Sequence, residues 1–110
     1  MDIKLIITEW IGVSNAYDVE KYLSFFLEDA VLDDPSVGRK FVGHEGIREY
    51  FNSYFIGYKT QSKLVKIAID NNVAYIELAF RGEFPEGEIN GTFELSFKDG
   101  KIEGAKADLL

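Results

Sequence analysis

Ala30-Val31-Leu32-Asp33-Asp34-Pro35-Ser36-Val37-Gly38, followed closely by Phe41-Val42-Gly43-His44-Glu45-Gly46-Ile47-Arg48, is where the chain declares its fold. A short apolar strand ends in paired carboxylates, a Pro-Gly turn follows, and a strongly amphipathic helix begins. Strand alternation puts Leu32 and Asp34 on one face and Val31 and Asp33 on the other. If Leu32 faces the interior, so does Asp34, and an inward carboxylate is costly unless something pairs or uses it. Asp before Pro also favours an extended or turn conformation, so a purely structural role for Asp34 in starting the bend stands beside a chemical one. Asp33 then points to solvent or pairs with Arg39 or Lys40.

Working outward, three helical segments are expected. From Ile3, the apolar residues Ile6, Ile7, Trp10 and Ile11 recur at helical spacing, with Asp2 as N-cap and Ser14-Asn15 as an interruption. A second segment starts near Asp18 and gathers Val19, Tyr22, Leu23 and Phe26 on one face. After Gly43, the stripe Ile47, Tyr50, Phe51, Tyr54 and Phe55 is the cleanest of the three, and Gly57 is its expected stop.

The second half changes period. Residues 63–69, 73–80, 91–97 and 101–107 read as strands. Asn71-Asn72 separates the first pair, Phe84-Pro85-Glu86-Gly87 tips a longer hairpin, and Asp99-Gly100 signals a tight one. Helices at one end and an antiparallel meander at the other give an α+β class with the sheet curled around the helices. One domain over residues 1–110 is expected from the length.

Composition narrows the function classes. The 110 residues are 46% hydrophobic and 15% aromatic, enough for a core rich in rings. A net charge of −7 opposes nucleic acid and anionic lipid surfaces, which are bound by Lys and Arg. No run approaches the ~18 apolar residues of a membrane span, and no secretory signal pattern is visible. There is no cysteine, which suits a reducing cytoplasm and removes disulfides, thiol nucleophiles and sulfur ligands. The single histidine, His44, leaves no multi-His metal site and is expected as an exposed first-turn residue. Neither a phosphate loop nor a dinucleotide fingerprint is present, so no cofactor and no metal are expected.

The order of elements and residues resembles the nuclear transport factor 2-like superfamily, and within it the SnoaL-like polyketide cyclases and the ketosteroid isomerases. The residues carrying this are a helix through Trp10, Asn15-Ala16-Tyr17-Asp18 opening a second, Phe26-Leu27-Glu28-Asp29-Ala30-Val31 leading to Asp34-Pro35, then Gly43, Ile47, Arg48 and Tyr50-Phe51. The resemblance implies a cone-shaped, cystatin-like α+β fold with a deep apolar pocket, and a homodimer packed through the open sheet face. Asp34 follows Asp18 by sixteen residues, and this spacing places it on the isomerases' general base. In the same register Trp10 and Phe93 fall where the isomerases have their oxyanion tyrosine and protonated aspartic acid, so a strict steroid isomerase is not expected.

The candidate site is therefore Asp34 as the catalytic base, walled by Trp10, Leu32, Phe51, Tyr54, Phe55, Phe80, Phe93 and Leu95, with a hydrophobic small molecule as ligand. Two functions remain open. One is a cofactor-independent isomerase or cyclase acting on a hydrophobic carbonyl compound, and the other is a non-catalytic ligand-binding or dimerisation module. Glu77 and Glu94, on middle strands, are expected on the outer sheet face.

Overall fold

Asp2 and Asp18 each cap a helix by accepting a backbone N–H three residues on, Leu5 N at 3.0 Å and Lys21 N at 3.2 Å. They open α1 (Ile3–Asn15) and α2 (Val19–Ser24) in the computed structural model, which describes all 110 residues. α1 continues through Ser14 to Asn15, whose amide group then pairs with the backbone of Ser62. Its Oδ1 accepts from Ser62 N at 2.7 Å and its Nδ2 donates to Ser62 O at 2.9 Å, tying the helix end to the sheet.

Phe26 departs from its expected helical position. α2 stops at Ser24, and β1 (Phe26–Asp34) starts at once because the Phe25 carbonyl accepts from Ile102 N at 2.8 Å. The side chain is buried either way. β1 turns through Pro35–Gly38 into β2 (Arg39–Val42), a four-residue strand not foreseen, whose exposed Arg39 and Lys40 hide its pairing from any apolar pattern. α3 (Gly43–Phe51) follows and widens into a single π-helical turn, Asn52–Ile56.

The meander then runs β3 (Gln61–Asp70), β4 (Val73–Arg81), β5 (Glu88–Lys98) and β6 (Lys101–Leu109). Asp99 and Gly100 both take positive φ, at 53° and 77°, as a two-residue hairpin between right-twisted strands demands. The six strands lie in the order β2-β1-β6-β5-β4-β3. Every pairing is antiparallel except the β1–β6 seam, which is parallel, since the chain returns to its first strand only after the whole meander. The sheet curves around the helices without closing, and its inner face meets them in one core that includes Ile7, Tyr22, Leu32, Phe51, Leu95 and Ile102. Glu77 and Glu94 lie on the outer face, opposite Thr92 and Lys106 respectively.

Deep in that core, four polar atoms have no hydrogen-bond partner: Trp10 Nε1, Ser14 Oγ, Tyr22 Oη and Ser62 Oγ. A buried hydroxyl without a partner costs about 1–3 kcal/mol. Ser14→Ala removes such a group inside a helix and substitutes the best helix former, so it is expected to stabilise the chain by roughly 0.5–2 kcal/mol. Urea titration of the variant checks this, and a loss of stability would mean that Ser14 has a partner.

Candidate active site

β1 ends with Asp34 on the inner face, in step with Ala30 and Leu32, and the residue is only 5% exposed. The turn that follows supplies its first partners. Ser36 donates twice to Oδ1, from its backbone N–H at 3.0 Å and its hydroxyl at 2.6 Å, and the Asp34 carbonyl accepts from Val37 N and Gly38 N. Gly38, with φ 75°, lets the chain reverse into β2.

The third partner comes from α3. Gly46 lies so close to β2 that a Cβ there would stand 2.9 Å from the Phe41 carbonyl carbon, so the absence of a side chain sets how near the helix sits. One turn later, Tyr50 donates its hydroxyl to Asp34 Oδ2 at 2.9 Å. Burial first, and the Asp34 charge second, push the Tyr50 hydroxyl well above the ordinary tyrosine range. It therefore stays a donor. A carboxylate offers about four lone-pair sites, two per oxygen. Oδ1 has both taken and Oδ2 one, so Oδ2 keeps one acceptor direction free.

Beside this carboxylate is a cavity of about 260 Å³. Tyr50 and Asp34 are its buried residues from α3 and β1, while Tyr54 and Phe55 come from the π turn and Phe80 from β4. Tyr58, exposed between the π turn and β3, and Phe84 with Glu86 from the β4–β5 hairpin tip complete it. The tip is fastened to the Tyr58 segment by Glu83 N donating to Tyr58 O, by an ion pair of Lys59 with Glu83 at 3.6 Å, and by edge-to-face packing of Tyr58 on Phe84 at 6.0 Å. No group of three His, Cys, Asp or Glu side chains stands close enough to hold a metal ion.

A curved sheet around three helices with an inward acid at the end of β1 is an arrangement that comparison with known proteins can place. Residues 7–104 match the SnoaL-like domain. The chain belongs to the SnoaL-like family. No functionally curated protein is detectably similar to it in sequence. Among solved structures, this SnoaL-like domain superposes on a Sinorhizobium meliloti protein named as a candidate polyketide cyclase, with TM-score 0.87 and 20% identity over 97% of this chain and 96% of that one. It also superposes on SalBIII, an epoxide hydrolase/cyclase-like enzyme with a role in pyran ring formation in the polyether salinomycin, with TM-score 0.86 and 23% identity over 97% and 89%. A candidate ketosteroid isomerase from Kribbella flavida gives 0.84 and 13% over 96% and 76%. At these identities the likeness is one of fold.

The residues singled out from sequence fall into three places in the SnoaL-like domain. Asp34, Tyr54, Phe55 and Phe80 line the 260 Å³ cavity. Trp10 and Phe93, packed edge to face at 5.5 Å, border a separate void of only about 10 Å³, and Phe55 is the one residue lining both spaces. Trp10 and Asp34 thus line different spaces. Leu32, Phe51 and Leu95 line neither space and are fully buried in the core, because the interior is filled by rings from both the helices and the sheet. Among the residues unforeseen in the cavity are Ser36, Tyr50, Tyr58, Thr60, Phe84 and Glu86. Of these, Tyr50 had a signal, its place on the α3 stripe, but that stripe reads as packing. His44 is half-buried, with Nε2–H donating to the Phe26 carbonyl at 2.9 Å.

Proposed function

We propose that this SnoaL-like domain takes a hydrophobic carbonyl compound into the aromatic cavity and that Asp34 acts as general base, in an isomerase- or cyclase-type reaction needing no cofactor. The observation that carries this reading is that Asp34, whose Oδ2 accepts a single hydrogen bond, lines a cavity walled by rings. Oδ2 takes a proton from the carbon beside the carbonyl, and the C–H electrons move to form the enolate. The acid either returns the proton to another carbon of the same system, or the enolate carbon attacks a second carbonyl to close a ring and the acid gives its proton to the alkoxide so formed. Tyr54 and Tyr58 line the same cavity, and their hydroxyls would be the donors to a carbonyl oxygen there.

The test is deuterium exchange from heavy water into the carbon acid of a neutral cyclic ketone, with the wild type and with Asp34→Asn. Catalysed exchange that collapses in the variant supports the base. Exchange that persists in Asp34→Asn overturns it.

A second reading has its own observation. Ser36 and Tyr50 hold both Asp34 oxygens, which is what a purely structural turn acid would show. The chain would then be a binding or assembly module. In either case we infer a homodimer through the outer sheet face, where an open groove of about 840 Å³ runs past Tyr75, Glu77, Glu94 and Lys106, and a cytoplasmic setting suited to a chain without cysteine. No helix is long and apolar enough to cross a membrane.

A further inference from the structure

Six aromatic rings line the Asp34 cavity: Tyr50, Tyr54, Phe55, Tyr58, Phe80 and Phe84. They form two connected groups. Tyr50 packs on Tyr54 at 5.4 Å and on Phe55 at 5.8 Å, Phe55 packs on Phe80 at 5.8 Å, and Tyr58 meets Phe84 at 6.0 Å near the mouth. The charged side chains that line the same space are Asp34 and Glu86, both acidic, and no Lys, Arg or His lines it.

Several rings and uncompensated carboxylates around one small cavity specify a ligand charge. An aromatic face carries negative quadrupolar potential and attracts a cation within about 6 Å of its centroid. Asp34 is 5% exposed, and its three donors, Ser36 twice and Tyr50 once, are all neutral. An ionised acid so placed is stabilised by an arriving positive charge and opposes an arriving negative one. The net charge of −7 adds a long-range field of the same sign. We infer that the cavity selects a small alkylammonium ligand over neutral and anionic molecules of the same shape.

This inference rests on the cavity being a ligand site, and it deepens the proposed chemistry by naming the charge of the substrate. Besides the Tyr50 hydroxyl that is bound to Asp34, the cavity has two tyrosines, Tyr54 and Tyr58, but no basic residue to stabilise an enolate. A cationic group carried by the substrate itself supplies that stabilisation electrostatically. The carbonyl compound is accordingly one that bears an alkylated amine.

Three isosteric probes separate charge from shape: choline, 3,3-dimethyl-1-butanol and 3,3-dimethylbutanoate, each titrated into the full chain by calorimetry and by NMR. Choline is expected to bind at least about 10-fold more tightly than the neutral alcohol, and the carboxylate most weakly. Tyr58→Leu and Phe84→Leu, which keep the apolar bulk at the mouth but remove a ring, are expected to shrink the choline preference several-fold. Glu86→Gln should do likewise, and Glu94→Gln on the outer face should leave it intact. Equal or tighter binding of the alcohol overturns the inference, as does a failure of choline to bind in the millimolar range. So does a choline preference that Glu94→Gln lowers as much as Glu86→Gln, which would be attraction to the acidic chain as a whole. The binding probes carry no ketone, and the base is read from wild type against Asp34→Asn with one and the same ketone, so the base reading stands or falls separately from each of these outcomes.

Discussion

Asp34→Asn is expected to leave the chain folded and to lower the rate of ketone exchange by about 10²–10⁴-fold, the range over which a positioned general base contributes. The two halves of this expectation have different causes. Asn has the same shape, and its carbonyl oxygen can still accept from the Ser36 N–H that now stands 3.0 Å from Asp34 Oδ1. Its amide nitrogen then faces the Tyr50 hydroxyl, which turns from donor to acceptor, since a phenol can do both. What is lost is the charge-assisted character of these bonds, roughly twice the strength of neutral ones. A stability loss of about 1–2 kcal/mol follows. Proton uptake by an amide is not available at neutral pH, so the exchange falls far more than the stability does. Urea unfolding and exchange measured on the same samples check both. If exchange falls only in proportion to the unfolded fraction, Asp34 is a turn acid, and the binding-module reading replaces the enzyme one.

Why Asp34 was legible and Tyr50 was not follows from what each depends on. Alternation along a single strand suffices to put Asp34 on the same face as Leu32, and the parity of side chains in β1 bears this out. Tyr50 depends on how closely α3 approaches β2, and that distance is set by Gly46 against Phe41, a contact between two elements. The helical period gives the inward face of α3 but does not say that one hydroxyl on it meets a particular carboxylate. Helix caps and the tight hairpin are local chemistry, and Asp2, Asp18 and Asp99-Gly100 act as their types and places suggest. β2 is also local, but four residues beginning Arg39-Lys40 carry no periodic signal.

The parallel β1–β6 seam shows the same limit at larger scale. Which strand lies beside β1 is decided by the closure of the whole meander, and Phe26 pairing Ile102 joins residues from opposite ends of the chain. The void behind Phe55 is another case. Trp10 and Phe93 are walls, as ring-rich interior positions ought to be, but of a space that shares only Phe55 with the lining of the Asp34 cavity. The likeness to other SnoaL-like proteins supplies the fold. The charge asymmetry of the cavity lining appears only once Glu86 and Phe84 are folded against it.

Phe51→Ala is expected to be the most damaging single truncation to the fold, costing about 3–5 kcal/mol. Phe51 is fully buried, stacked on Tyr22 with centroids 3.9 Å apart and on Phe55 at 5.6 Å, so removing it leaves a hole between α2, α3 and the π turn. A domain of this size has a total stability of only about 5–15 kcal/mol. At roughly 4–8 °C per kcal/mol, the melting temperature falls by more than about 12 °C. The Tyr22 hydroxyl, which has no partner in the intact core, gives a water admitted by the hole something to bond, and that places the cost toward the lower end of the range. The same measurement decides how Phe51 is used. A cavity wall loses little stability on truncation and gains ligand volume, so a loss under about 1 kcal/mol together with tighter binding of a bulkier ketone would return Phe51 to the lining that its place on the α3 stripe first suggested. The full loss, with ligand binding weakened only through the fold, fixes it as the ring on which Tyr22 and the cavity residue Phe55 both rest.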